Sequence, residues 1–164
     1  MARPTPAPLF FPLLLPFGIV VGYAQVTTPY ALDKIGLVAV VVATAQQTGQ
    51  LPHTIKIFWA PAIDARGKRK HWFVGSLLLA ACALAATVRA DAKASLALYT
   101  ALLFAANVGA ATSSAAVDAL MATTVPTERK GAAAGWSMAG NLGGTGVGGA
   151  LGLWLTEHQS EGLT

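Results

Sequence analysis

Trp59-Ala-Pro-Ala-Ile-Asp-Ala-Arg-Gly-Lys-Arg-Lys-His-Trp72 is a dense cationic turn set between two long apolar blocks. Pro61 and Gly67 oppose any helix running through it, because proline lacks an amide hydrogen and glycine gives up the most backbone freedom. Directly after it, Trp72 to Val88 carries almost no polar side chain and is long enough to span a bilayer. Short loops rich in Lys and Arg stay on the cytoplasmic face, so this turn orients the helices on either side of it. Trp59 and Trp72 bracket it where interfacial aromatic rings sit.

Composition points the same way. Hydrophobic residues make up 54% of the chain and charged residues 11%, against roughly 25% charged in a soluble domain. The net charge of +4 is bunched in short turns, with no basic stripe interleaved with aromatics, so nucleic acid is not an expected partner. The bilayer is. The single cysteine, Cys82, excludes an intramolecular disulfide and a multi-cysteine metal site. The histidines, His53, His71 and His158, lack ligand spacing, and neither a metal, a cofactor nor a catalytic triad is expected.

The blocks predict an all-α, polytopic bundle of about five spans, at residues 9–32, 36–60, 72–88, 95–124 and 132–155, between a lead over 1–8 and a polar tail over 156–164. Pro12, Pro16 and Pro29 predict a kinked first helix, which membrane helices tolerate. Arg3, the apolar core Leu9 to Val21 and the small-residue end Gly22-Tyr23-Ala24 also fit a cleaved secretory signal, and that alternative stays open. Asp33-Lys34 reads as a very short outer turn. With the amino terminus inside, Arg3, Arg66, Lys68, Arg69, Lys70, Arg129 and Lys130 face the cytoplasm, and only Lys34, Arg89 and Lys93 lie outside. That asymmetry supports a cytoplasmic N-terminus.

Polar residues within these spans are expensive unless they face a bundle interior or water. Gln46, Gln50 and His53 recur at helical spacing in the second span, and Asn107, Ser114 and Asp118 share one face of the fourth. With Asn141, on a ridge with Ser137 and Thr145, these are the candidate cavity-lining residues. Lys56 and Asp118 each precede a cytoplasmic turn by similar distances, so they form a candidate intramembrane pair, for coupling or gating; local snorkelling is the alternative. The fifth span is glycine-rich, and Gly140, Gly144 and Gly148 form overlapping small-xxx-small pairs that let another backbone approach; Gly131/Gly135 and Gly148/Gly152 have the same spacing. Gly144, Gly146 and Gly149 also match a dinucleotide-binding pattern, which is rejected because no strand precedes it.

The cationic turn resembles the loop between the second and third helices of the major facilitator superfamily, roughly Gly-x-x-x-Asp-Arg-x-Gly-Arg-Arg/Lys. Asp64, Gly67 and Arg69 match in register, Lys68 is a conservative substitute, Ala60 and Ala65 depart from the pattern, and Arg66 stands one place beyond the usual arginine. Leu51 to Asp64, Ala116-Val-Asp118-Ala-Leu and Pro126-Thr-Glu-Arg-Lys-Gly131 are similar to the branch containing muropeptide permeases, acetyl-CoA transporters and some siderophore permeases. The resemblance implies a secondary transporter of a small or medium solute in a bacterial-type inner membrane, not an enzyme, with a proton as one candidate for the coupling ion. Asp64, Arg66, Gly67, Lys68 and Arg69 would then be conformational residues. Such transporters have two six-helix halves with the substrate between them near the midplane, so five spans imply an incomplete amino-terminal half lacking its carboxy-terminal partner. The alternative is a non-transporting five-span subunit that oligomerises through the glycines of its fifth helix.

Overall fold

Apolar blocks parted by proline, glycine and charge fold as helices in the computed structural model, which describes residues 5–61 and 69–161. Helix α1 (Phe10–Gly22) passes through a π-helical turn (Tyr23–Thr27) into α2 (Thr28–Lys34). Then follow α3 (Ala39–Ile55), α4 (Arg69–Arg89), α5 (Leu96–Thr124) and α6 (Lys130–Glu161), and no strand occurs among the described residues. Three of the helical segments are long and apolar enough to cross a membrane: Ala7–Lys34, Arg69–Arg89 and Leu96–Thr124. The other two, α3 and α6, are diluted by amides and by glycines respectively. The architecture is an all-α membrane helix bundle.

The first segment carries its irregularity beside one of the prolines at which a kink is expected. It stays helical through Pro16, and its irregularity is the π-turn just before Pro29. Proline at 29 cannot donate to the carbonyl of residue 25, and widening the preceding turn absorbs that missing bond. The Thr28 amide accordingly reaches back to the carbonyl of Tyr23.

The first turn also lies later than Asp33-Lys34. Both residues are helical, and the chain stops at Gly36, whose φ of 83° is open to glycine at little cost. The Gly36 amide donates to Asp33 O at 2.8 Å and the Leu37 amide to Leu32 O at 3.2 Å, the paired bonds of a Schellman cap. The α-helix within the second block thus runs from Ala39 to Ile55, with Lys56–Phe58 in a 3-10 turn. The polar tail is helical as far as Glu161. No glycine or proline separates Leu155 from Glu161, so α6 continues through it, held by Tyr30 Oη donating to Glu157 Oε1 at 3.2 Å.

Helix α5 is the centre of the bundle. Its run Gly109–Ser114 is buried without interruption, which is possible because Gly, Ala, Thr and Ser let neighbours approach on every side. Helix α4 buries a thin stripe, Ser76, Ala80, Ala83 and Thr87, flanked by half-buried Phe73, Leu84 and Val88. A Cβ built on Gly109 would lie 2.7 Å from the Ala80 amide, so the two helices touch backbone to backbone. The α1–α6 contact is of the same kind: Phe11, Leu15 and Ile19 lie against Gly140, Gly144 and Gly148 in turn, and the two helices run parallel. The face expected to recruit another chain is therefore already covered by α1. The oligomerising alternative loses the surface it was built on.

Val42 and Ala45 pack by Tyr99, Gly49 by Leu103 and His53 by Asn107, so α3 runs parallel to α5. Phe73 packs with Val117 and Ala90 with Tyr99, so α4 runs antiparallel to it. Successive helices alternate in direction. Lys56, Arg69, Lys70, Arg129 and Lys130 gather at one end, the Arg69 end, and Lys34, Arg89 and Lys93 at the other, the Arg89 end.

Candidate functional site

Near the middle of the bundle, α3 meets α5 through polar groups. Pro52 and Gly49 keep that face of α3 narrow: a Cβ on Gly49 would sit 2.6 Å from a methyl of Leu103. One turn on, His53 Nε2 lies 2.7 Å from Asn107 Oδ1. Asn107 is fully buried and donates its own Nδ2 to Leu103 O at 2.9 Å, which fixes the amide orientation. With Oδ1 left as an acceptor, His53 Nε2 is the donor, and its tautomer is assigned by this bond. Phe17 of α1 closes the third side, its ring edge-on to the imidazole at 5.6 Å between centroids.

Toward the Arg89 end, Gln25 Nε2 donates to Gln50 Oε1 at 3.4 Å. Gln46 lies a further turn up α3, half-buried. Toward the Arg69 end, Trp59 Nε1 donates to Thr112 Oγ1 at 3.2 Å. A polar seam along α3 and its continuation therefore runs from Gln50, bonded to Gln25 of the π-turn, to Trp59, bonded to Thr112 of α5, with His53 and Asn107 at its centre.

The other candidates separate into distinct places. Lys56 and Asp118 line one cleft of about 830 Å³ with Ile57, Pro61, Ala115 and Ala122. Lys56 sits just past the last residue of α3, where the negative end of the helix dipole favours a cation. Ser114 is buried on α5, and Ser113 bonds back to Ala110 O at 2.8 Å. Asn141 is placed elsewhere, on α6 against Gly18, with its Oδ1 buried and unpartnered. Asp64, Arg66, Gly67 and Lys68 lie outside the described residues. Arg69 opens α4 and donates from Nη1 to Thr123 Oγ1 at 2.7 Å, tying the loop's exit to the end of α5.

Two members of the seam, Gln25 and Phe17, were not among the expected site residues. Gln25 had a signal: it is the one amide side chain within the first apolar block. Phe17 had none, since an aromatic residue in such a block is ordinary. Among the described residues, no cluster of three or more His, Cys, Asp or Glu side chains could hold a metal ion.

Asn107→Leu removes the partner of a half-buried imidazole, and leaving such a group unsatisfied costs about 1–3 kcal/mol. We expect that loss in the unfolding free energy measured in detergent. His53→Leu/Asn107→Leu, which removes both polar ends, recovers part of it. Equal stability of the single variant and the parent would show that this bond contributes nothing.

No curated protein and no solved structure matches the chain. The family model described as Major Facilitator Superfamily matches residues 17–160, from the Phe17 that faces His53 to the last turns of α6. The chain belongs to the major facilitator superfamily, whose members are membrane transporters of small solutes.

Proposed function

We propose that the five helices form part of the amino-terminal half of a secondary transporter for a small or medium solute, all five crossing the membrane with the amino terminus in the cytoplasm. The observation that carries this reading is the hydrogen-bonded His53–Asn107 pair, held at mid-depth between α3 and α5 and flanked by Phe17 and Gln50. Asn107 is the twelfth residue of a 29-residue helix, so it lies within about 5 Å of that helix's midpoint at 1.5 Å per residue. Polar groups at that depth mark solute or ion paths, and superfamily substrates bind near the midplane between the halves.

In this reading Gln46, Gln50, His53, Asn107 and Ser114 contribute the amino-terminal wall of the solute cavity, and Asn141 belongs to the α1–α6 contact instead. Lys56 and Asp118 form the coupling pair, with a proton as the coupled ion. Asp64 to Arg69 is the conformational loop of a bacterial-type inner-membrane permease. The segments similar to muropeptide, acetyl-CoA and siderophore carriers favour that branch.

Thiol accessibility tests the cavity. The native Cys82 is exposed on the outer face of α4 beside Leu78 and Leu79, and serves as the lipid-face reference. In a Cys82→Ser background, Gln25→Cys and Gln50→Cys should react with a hydrophilic thiol reagent in membranes at least about tenfold faster than Cys82 does in the parent, because thiolate chemistry needs water. Equally slow reaction at all three positions would mean a lipid-covered seam and no solute path there.

A further inference from the structure

Helices α4 and α5 touch backbone to backbone where Gly109 meets Ser76 and Ala80, and beside that contact they part. The opening is a groove of about 400 Å³, lined by His71, Trp72, Gly75 and Leu79 of α4 and by Val108 and Thr112 of α5. Its depth comes from Gly75. A Cβ there would meet nothing within 4 Å, so the missing side chain leaves a notch and not a close contact. From His71 to Leu79 is eight residues, about 12 Å along the helix at 1.5 Å per residue.

The polar side chains inside the groove are already bonded. Ser76 Oγ donates to Phe73 O at 2.9 Å, and Thr112 Oγ1 donates to Val108 O at 2.7 Å while accepting from Trp59 Nε1 at 3.2 Å. What remains is an apolar wall, continuous with the exposed face of Val74, Leu78 and Leu79 on α4. Charge stands at one end only. Arg69, Lys70 and His71 open the helix at the mouth, Lys70 and His71 are exposed, and no acidic side chain lines the groove among the described residues. Arg69 is engaged with Thr123 at 2.7 Å and fixes the mouth against α5. Trp72 stands next to His71, partly exposed, at the level where indole rings meet lipid headgroups.

We propose that this groove binds one anionic phospholipid, an acyl chain lying against Gly75 and Leu79 and the phosphate held by His71 and Lys70 beside the Trp72 indole. An apolar slot with cations at its mouth is complementary to a molecule whose negative charge sits directly above hydrocarbon. Basic pockets between membrane helices recognise anionic headgroups, and a phosphate offers acceptors to an imidazole N–H and an ammonium group together. The volume lies in the range of small-molecule sites, roughly 300–1,000 Å³. The site needs only that α4 crosses the membrane, as its length and composition allow, and no transport cycle, so a chain inactive in uptake should still hold the lipid.

The test gives the full chain in detergent equal amounts of phosphatidylglycerol and phosphatidylcholine with identical acyl chains, and reads the first lipid retained by native mass spectrometry. Phosphatidylglycerol should be retained about fivefold or more over phosphatidylcholine, the factor for one basic side chain at an anionic surface. Gly75→Leu fills the notch without striking another atom, and should weaken both lipids about tenfold or more, the factor for roughly two methylenes no longer buried. Gly146→Leu, the same change at another open helical position, should retain lipid as the parent does. Lys70→Gln/His71→Gln, two exposed changes, should bring phosphatidylglycerol down to the level of phosphatidylcholine and leave the latter unchanged. Equal retention of the two lipids by the parent would overturn the proposal, as would Gly75→Leu retaining phosphatidylglycerol as well as Gly146→Leu does. Displacement of phosphatidylglycerol by excess inorganic phosphate would also overturn it, in favour of a free-anion site.

Discussion

Gly144→Leu should destabilise the bundle by about 3 kcal/mol or more, the upper range for overpacking, whereas Gly146→Leu, two residues away on the same helix, should leave it unchanged or slightly more stable. The two glycines differ only in what lies opposite. A Cβ on Gly144 would overlap the carbonyl of Leu15 and come within 3.0 Å of Gly18 Cα and the Ile19 amide. These are backbone atoms on a helix, so no rotamer change relieves the clash, and α1 must move away from α6. That movement would also open the contacts at Gly140 and Gly148, because all three belong to one parallel seam. At Gly146 a Cβ meets nothing within 4 Å, and replacing glycine in an open helical position recovers helix propensity, about 1 kcal/mol. Equilibrium unfolding in detergent, followed by helical signal, measures both. Similar losses at the two positions would mean that the glycine run acts through general helix flexibility and not through the α1 seam.

The glycine pattern shows what a sequence of this kind discloses and what it withholds. Small-xxx-small spacing marks Gly131/Gly135 as strongly as Gly140/Gly144, yet a Cβ on Gly131 or Gly135 would meet nothing. Spacing identifies a face that can be approached; the partner and its extent are set by where α1 begins and how α5 pushes it against α6. Helix existence was legible because apolar blocks of bilayer length have few alternatives. Helix ends were less so: Gly36 reads equally well as the start of a span or as a cap, and only its left-handed conformation decides. The centre of the fold was legible only in part. The cationic turn separates the spans, but the helix that everything else packs on is α5, whose Ala, Gly and Ser residues look weak on a hydrophobicity scale and strong only when close packing is considered.

The site divides along the same line. Periodicity placed His53 and Asn107 on polar faces of their own helices, and a face is a property of one helix. Their meeting at 2.7 Å depends on the register between α3 and α5, which is set by Gly49 against Leu103 and by Tyr99 against Val42 and Ala45. No local pattern reports that register. Gln25 reaches Gln50 from the π-turn that precedes Pro29, and no local pattern places that turn opposite α3.

If Asp118 carries the proton as proposed, Asp118→Asn should abolish proton-driven uptake by the full-length transporter, at least about a hundredfold in initial rate, while the unfolding temperature of the chain stays within about 1 °C of the parent, as for exposed substitutions outside packed contacts. Asn has the shape of Asp without its charge, and Asp118 is exposed to the cleft with no hydrogen bond that the fold needs. It lies six residues before the end of α5, about 9 Å inside at 1.5 Å per residue, shallow enough to exchange with water and deep enough to feel Lys56 across the cleft. Two roles remain open to such a carboxylate, and substitutions distinguish them. If it serves only to hold Lys56 by its charge, exchanging the two as Lys56→Asp/Asp118→Lys keeps the attraction and should preserve uptake. If it carries the proton, the exchanged pair fails, Asp118→Glu retains partial uptake with its pH profile moved, and Asp118→Asn is inactive at every pH. We expect the second set. Full uptake by Asp118→Asn with an unchanged pH profile would remove the residue from the mechanism. Lys56 at the end of α3 would then be explained by the helix dipole alone.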